Sequence, residues 1–243
     1  MIEHLRLLER MFYRALRFVL LPIATLLFRL KVEGEENVPA SGGVILAANH
    51  VSFVDPLVLG VATRRTLNFL AKVELFRHPI FAFIIRKLNA FPVGRDRMEL
   101  STFKKGLALL KRGEALVVFP EGTRGEGDKL GEAKPGIGLL AKWSGVPVIP
   151  VYHRGAEKVL PKGAFLPRVH PLRVFFGRPL RFSADALKGE EGLVEFSRQV
   201  MEEIASLKAA VEEREGSQKT IQGGTIEDEF HATTRRGVEH QAR

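Results

Sequence analysis

The sequence predicts an α/β fold: a layered, mixed or largely parallel sheet flanked by helices, with an amphipathic helix pair at the N-terminus. Three observations carry this reading. Short apolar, β-like runs alternate with helical stretches along the body, the pattern of an α/β layer fold. Several of those runs are apolar enough to be buried on both faces, as strands of parallel sheets are. The opening thirty residues instead follow a helical period. A chain of 243 residues, 45% hydrophobic and 27% charged, suits one globular domain with appendages.

In the first unit, Ile2, Leu5, Leu8, Phe12, Leu16, Val19 and Ile23 recur at helical spacing, and Arg6, Arg10, Arg14 and Arg17 form a basic stripe on another face. From Phe18 to Phe28 the polar face disappears. That run is shorter than the about 20 residues a bilayer crossing needs, and Pro22 is expected to break it into a helix pair. Two placements stay open: a helix docked on the core, or a helix pair lying in a membrane interface. Acidic residues in the opening turns and the lack of a small-residue cleavage site argue against a signal peptide.

The runs "GVILAANH", "LNFLAK", "LNAFPV", "EALVVFPEG", "VPVIPVYHRG" and "LRVFFGRPL" read as strands. Between them, "DPLVLGVATRR", "HPIFAFIIRKL", "MELSTFKKGLALLKRG" and "KPGIGLLAKWSG" read as helices. A last helix is expected from about Glu190 to Glu215, followed by a polar, glycine-bearing tail read as disordered. The boundaries are therefore 1–31 for the membrane-interface segment, 32–215 for the domain and 216–243 for the tail.

Composition narrows the chemistry. There is no cysteine, which removes disulfides, thiolate metal sites and a cysteine nucleophile. The seven histidines show no metal-ligand spacing, so no metal is expected. The net charge of +9 favours anionic partners: nucleic acid, an anionic membrane surface or a phosphorylated substrate. No nucleic-acid module is visible, and the basic residues interleave with an apolar face rather than with stacking aromatics. Nucleic acid is not expected as a partner.

Two stretches carry functional groups. In "NHVSFVDPLVL", His50 ends an apolar strand, and Asp55 precedes Pro56 as a helix N-cap would. Five residues along a straight helix would set the two side chains about 140° apart. They meet only if His50 lies in the turn before the helix; Asp55 can then hold one ring nitrogen and leave the other as a base. In "VVFPEGTRG", a strand runs into Glu121, Gly122, Thr123 and Arg124. This is either a turn whose charges are solvated or paired together, or one that presents Arg124 to an anion with Glu121 bonding a substrate hydroxyl. Lys134, in "AKPG", falls beside a helix N-terminus, a plausible phosphate position.

Together these residues resemble one family, the glycerophosphate and lysophosphatidate acyltransferases. Its His-x4-Asp block matches His50 to Asp55, and its Phe-Pro-Glu-Gly-Thr-Arg block matches Phe119 to Arg124 residue for residue. Its proline-containing apolar block matches "VPVIPV", a core strand or one wall of an acyl groove. The remaining block ends in an arginine, here Arg95 in "NAFPVGR" with Arg97 competing for the role; the family's leading glycine is Asn89.

The resemblance implies transfer of a fatty acyl group from acyl-CoA or acyl carrier protein, as co-substrate, to the sn-2 hydroxyl of a 1-acylglycerol 3-phosphate. It implies His50 and Asp55 as the catalytic pair. Arg95, Arg124 and Lys134 would hold the phosphate, while Glu121, Gly122 and Thr123 complete the substrate turn. It also implies no cofactor, a membrane phospholipid surface as partner, and a peripheral or monotopic place on the cytoplasmic face of the cell membrane, where acyl thioesters are found.

Overall fold

The computed structural model describes residues 2–77, 82, 85, 86, 89–93, 100–125, 129–164, 166–183 and 189–239. Most of the helix expected from "HPIFAFIIRKL" lies outside them, as do Arg95 and Arg97. The described strands are Lys31–Glu33 (β1), Val44–Ala48 (β2), Leu67–Lys72 (β3), Ala90–Val93 (β4), Ala115–Val118 (β5), Val148–Arg154 (β6) and Arg173–Phe176 (β7). They form one sheet in the order β1-β7-β6-β2-β5-β3-β4. From β6 to β4 the neighbours are parallel; β7 runs antiparallel to β6 and parallel to β1.

The expected mixed, largely parallel sheet is the one observed. Its centre is β2, whose five residues are all fully buried. Burial of every residue of a strand, rather than of alternate ones, means cover on both faces. Beside it, β5 is buried along its length as well. The sequence reading misses β1, which offers only Val32 between two charged residues. Tertiary context makes this strand: Lys31 N–H bonds Leu172 O at 3.0 Å, and Val32 pairs with Val174.

Asn89 has φ of +56°, a left-handed conformation that glycine adopts freely and asparagine tolerates better than most residues. Its carbonyl accepts from Phe69 N–H at 3.1 Å as β4 begins. Asparagine here holds a conformation that glycine would also adopt.

Helices α1 (Ile2–Leu27), α2 (Asp55–Ala62), α3 (Leu100–Lys111), α4 (Gly136–Ser144), α5 (Ala156–Val159) and α6 (Gly189–Glu239), with 3-10 turns at Glu35–Asn37 and Val73–Arg77, complete the described elements. The expected N-terminal pair is instead one helix that runs through Pro22. Proline deletes one helical hydrogen bond, but packing outweighs that loss: Leu20, Leu21, Ala24 and Phe28 lie against the core. Thr25 Oγ1 also donates to Leu21 O at 2.8 Å.

α1 docks through Tyr13, only 4% exposed, whose hydroxyl closes on Gly60 of α2. A Cβ at residue 60 would lie 2.7 Å from that oxygen, so the approach requires glycine. Met11, Phe12, Phe18, Val19, Ile23, Leu26 and Leu27 stay exposed along the same helix. Among the described residues no helix is long and apolar enough to cross a membrane.

The chain divides into two compact units, Met1–Ala205 and Ser206–Arg243. In the first, α6 begins with Phe196, Val200 and Ile204 fully buried. The tail expected to be disordered from Gly216 is helical to Glu239. No proline interrupts this stretch, but its four glycines and four threonines disfavour helix, so residue propensity does not account for it.

Burial pushes the Tyr13 phenol up from 10.0 to about 12, against smaller opposing effects of the Leu67 backbone and Arg17. A group raised in the folded state keeps its full stabilising effect below the unfolded value. That effect is lost as pH rises from 10.0 through about 12. Tyr13→Phe should therefore flatten the alkaline loss of stability by up to ~1.4 kcal/mol per pH unit in that window. Urea midpoints across pH check this; parallel declines in parent and variant count against it.

Candidate active site

The site forms where parallel strands end side by side. β2 pairs with β5 in the register Ala47↔Val118, so the turns after their carboxyl ends emerge together. In open α/β sheets this is where functional groups collect. His50 lies two residues beyond β2, and Phe119 to Arg124 follow β5 directly.

His50 does sit in the turn before α2, and its Nδ1 lies 2.7 Å from Asp55 Oδ2. The same oxygen accepts Val51 N–H at 2.8 Å and Ser52 N–H at 2.9 Å. This corrects the N-cap expectation. Asp55 is the first residue of α2, behind Val54, and its carboxylate faces back into the turn rather than capping the helix. A carboxylate in this position closes the turn and receives the ring proton with one oxygen. Asp55 is fully buried, whereas the His50 side chain is 20% exposed.

Since a carboxylate accepts, Nδ1 carries the hydrogen and Nε2 keeps its lone pair. Phe119 stacks on the imidazole, with ring centroids 4.1 Å apart and planes inclined by 17°. The arrangement is an oriented base, apolar on one face. Ser52 Oγ is turned away, donating to Leu160 O at 2.9 Å.

The turn after β5 is tied to this base. Gly125 N–H donates to His50 O at 2.8 Å, and His50 N–H donates to Glu121 Oε1 at 3.0 Å. Glu121 Oε2 accepts Gly131 N–H at 2.8 Å, and the residue is only 7% exposed. Its carboxylate thus braces main chain on both sides. Arg124 lies with its guanidinium carbon 3.7 Å from the centre of the Phe53 ring, over the His50–Asp55 turn. Gly122 adopts φ of +70°, and a Cβ there would lie 2.8 Å from Lys134 Nζ. Lys134 is exposed, and its N–H bonds Pro120 O at 2.9 Å. Thr123 is exposed between them.

The structure therefore brings together every sequence-level candidate among the described residues: His50, Asp55, Glu121, Gly122, Thr123, Arg124 and Lys134. Contacts invisible to sequence spacing also appear. Phe119 walls the imidazole, Phe53 carries the arginine, and buried His153 places Nε2 3.8 Å from Asp55 Oδ2.

A carboxylate-tethered imidazole with cations alongside, and with Ser52 Oγ turned away to Leu160 O, suits the activation of a substrate's own hydroxyl for group transfer. Residues 29–154 match the family described as Acyltransferase, and the chain belongs to that family. It is 30% identical over 181 residues to the 1-acyl-sn-glycerol-3-phosphate acyltransferase of Bacillus subtilis, covering 74% of this chain and 88% of that one. The Streptococcus pneumoniae enzyme of the same name is 30% identical over 203 residues, covering 82% and 74%. A crystal structure of the 1-acyl-sn-glycerophosphate acyltransferase of Thermotoga maritima shares the fold with a TM-score of 0.59. It is 24% identical and covers 86% of this chain and all of that one.

Replacing Glu121 by Gln exchanges one accepting oxygen for an NH2 group that faces a backbone N–H. A buried donor left without an acceptor costs about 1–3 kcal/mol. Chemical denaturation of Glu121→Gln is expected to show a loss of that size, and an unchanged midpoint would contradict the brace.

Proposed function

We propose that the chain transfers a fatty acyl group from an acyl thioester to the sn-2 hydroxyl of 1-acylglycerol 3-phosphate, giving phosphatidic acid for phospholipid synthesis. The observation that carries this reading is the 2.7 Å contact between His50 Nδ1 and Asp55 Oδ2 beside Arg124. The names of the related enzymes support the acceptor.

The steps follow from the chemistry of the groups. His50 Nε2 takes the proton of the acceptor hydroxyl as its oxygen attacks the thioester carbonyl. Asp55 offsets the charge that develops on the imidazolium. The tetrahedral intermediate collapses, the carbon–sulfur bond breaks, and the departing thiolate recovers the proton from His50. No acyl-enzyme is required.

Arg124 is assigned to the acceptor phosphate, since its planar fork matches phosphate oxygens. Lys134 adds a second positive charge from beside Gly122. Arg95 keeps its assignment to the phosphate from the family resemblance. Glu121 is assigned to holding His50 through its N–H rather than to the glycerol oxygens. The donor is acyl-CoA or acyl carrier protein. The exposed apolar residues of α1, with exposed Arg14 among them, are assigned to the membrane interface. Because acyl thioesters are cytosolic, that interface is the cytoplasmic face.

The test is an assay in phospholipid vesicles that offers lysophosphatidate, glycerol 3-phosphate and other lysophospholipids with each donor type. Lysophosphatidate should give the highest kcat/KM, and preference for an acceptor without phosphate would overturn the reading. His50→Ala should lower turnover by ~10²–10⁴ while leaving the protein folded. Arg124→Ala should raise the acceptor KM with a smaller effect on kcat; the acceptor saturation curve reports it.

A further inference from the structure

The ladder between β2 and β6 runs in the register Ala48↔Val151 and then stops, because β2 turns away toward His50. Beyond that point two side chains take over the work of the main chain. Asn49 Nδ2 donates to His153 O at 2.9 Å, and His153 N–H donates to Asn49 Oδ1 at 2.9 Å. Asn49 O, left without a ladder partner, lies 2.8 Å from His153 Nε2. A carbonyl only accepts, so His153 carries its hydrogen on Nε2.

The consequence lies one bond away. The peptide that joins Asn49 to His50 is gripped at both ends. Its carbonyl is held by His153 from β6, and its N–H is held by Glu121 after β5. Both gripping side chains are buried, His153 completely. That peptide plane sets the direction in which the His50 side chain leaves the backbone. His153 Nε2–H also lies 3.8 Å from Asp55 Oδ2, adding a donor dipole beside the oxygen that holds the base. The second ring nitrogen, Nδ1, is buried with no hydrogen-bond partner among the described residues. A buried polar atom left orphaned costs stability, and an apolar side chain of similar size would avoid that cost only by orphaning Asn49 O instead. The imidazole therefore has a use that packing does not explain.

We propose that His153 is a positioning residue for the reaction, which aims His50 through the Asn49–His50 peptide and steadies Asp55 Oδ2, the same oxygen that His50 meets. The kinetic part rests on the acyl-transfer reading; the structural part does not. The experiment compares the full chain with His153→Leu, which removes the donor, and His153→Gln, whose amide nitrogen restores a donor near Nε2. Two readouts are taken: kcat and acceptor KM in vesicles, and the NMR signal of the His50 Nδ1 proton, assigned through its loss in His50→Ala.

His153→Leu should lower kcat about 10–100-fold, since small misalignments of reacting groups cost this much. Its acceptor KM should stay within about threefold and the His50 proton signal should shift, while His153→Gln recovers both kcat and signal. A folded His153→Leu with parental kcat and an unmoved signal overturns the proposal, as does His153→Gln falling as far as His153→Leu. If His153→Leu does not fold, the 15N spectrum of the parent decides. An Nε2–H tautomer at His153 upholds the clamp, and an Nδ1–H tautomer overturns it. Because the proton signal and the tautomer need no substrate, a chain inactive with every acceptor would fail the acyl-transfer reading while still testing the clamp.

Discussion

Asp55 Oδ2 organises the turn on which the site rests. One oxygen gathers the His50 ring proton and the Val51 and Ser52 amides at 2.7–2.9 Å. Three donors on one buried acceptor close the turn and orient the imidazole in the same act. Hydrogen bonds to a charged acceptor are shorter and stronger than neutral ones, and burial shields them from competing water. Without this oxygen the segment between β2 and α2 would carry two amides, one of them buried, and a ring with no common partner.

The sheet supplies the second constraint. The parallel neighbours β2 and β5 end within a residue of each other, so their turns come together, while β6 runs on beside them to Arg154. Where the ladders end, main-chain groups still need partners. Buried polar side chains supply them: Glu121 receives two amides, and Asn49 and His153 exchange bonds across the gap. Chemistry and strand termination thus draw on the same residues, which is why buried polar groups concentrate here.

The N-terminal helix shows how packing and exposure divide one amphipathic segment. Tyr13 and the Leu20, Leu21, Ala24 and Phe28 group bind α1 to the body. The apolar residues left uncovered, including Phe18 at 80% and Leu26 at 78% exposure, form the kind of surface that marks interaction with a membrane or partner. Docking consumed only part of the hydrophobic periodicity.

Local pattern alone determined much of this protein. The apolar runs of β2, β3, β5 and β6, the helix after Pro56, and the His50–Asp55 and Phe119–Arg124 stretches are all visible in sequence, because each expresses a short-range preference of neighbouring residues. Tertiary structure decided the rest. It made β1 from three residues with one apolar side chain, since pairing with β7 supplied what propensity lacked. It carried α1 through Pro22, because core packing outweighed one lost hydrogen bond. It turned Asp55 back into the loop, and it set the Glu121 carboxylate between two main-chain amides that no spacing rule would pair with it. It also set His153 against Asn49 across a separation of 104 residues. No spacing rule reaches that far: such contacts depend on which strands become neighbours, a property of the folded sheet and not of any local segment.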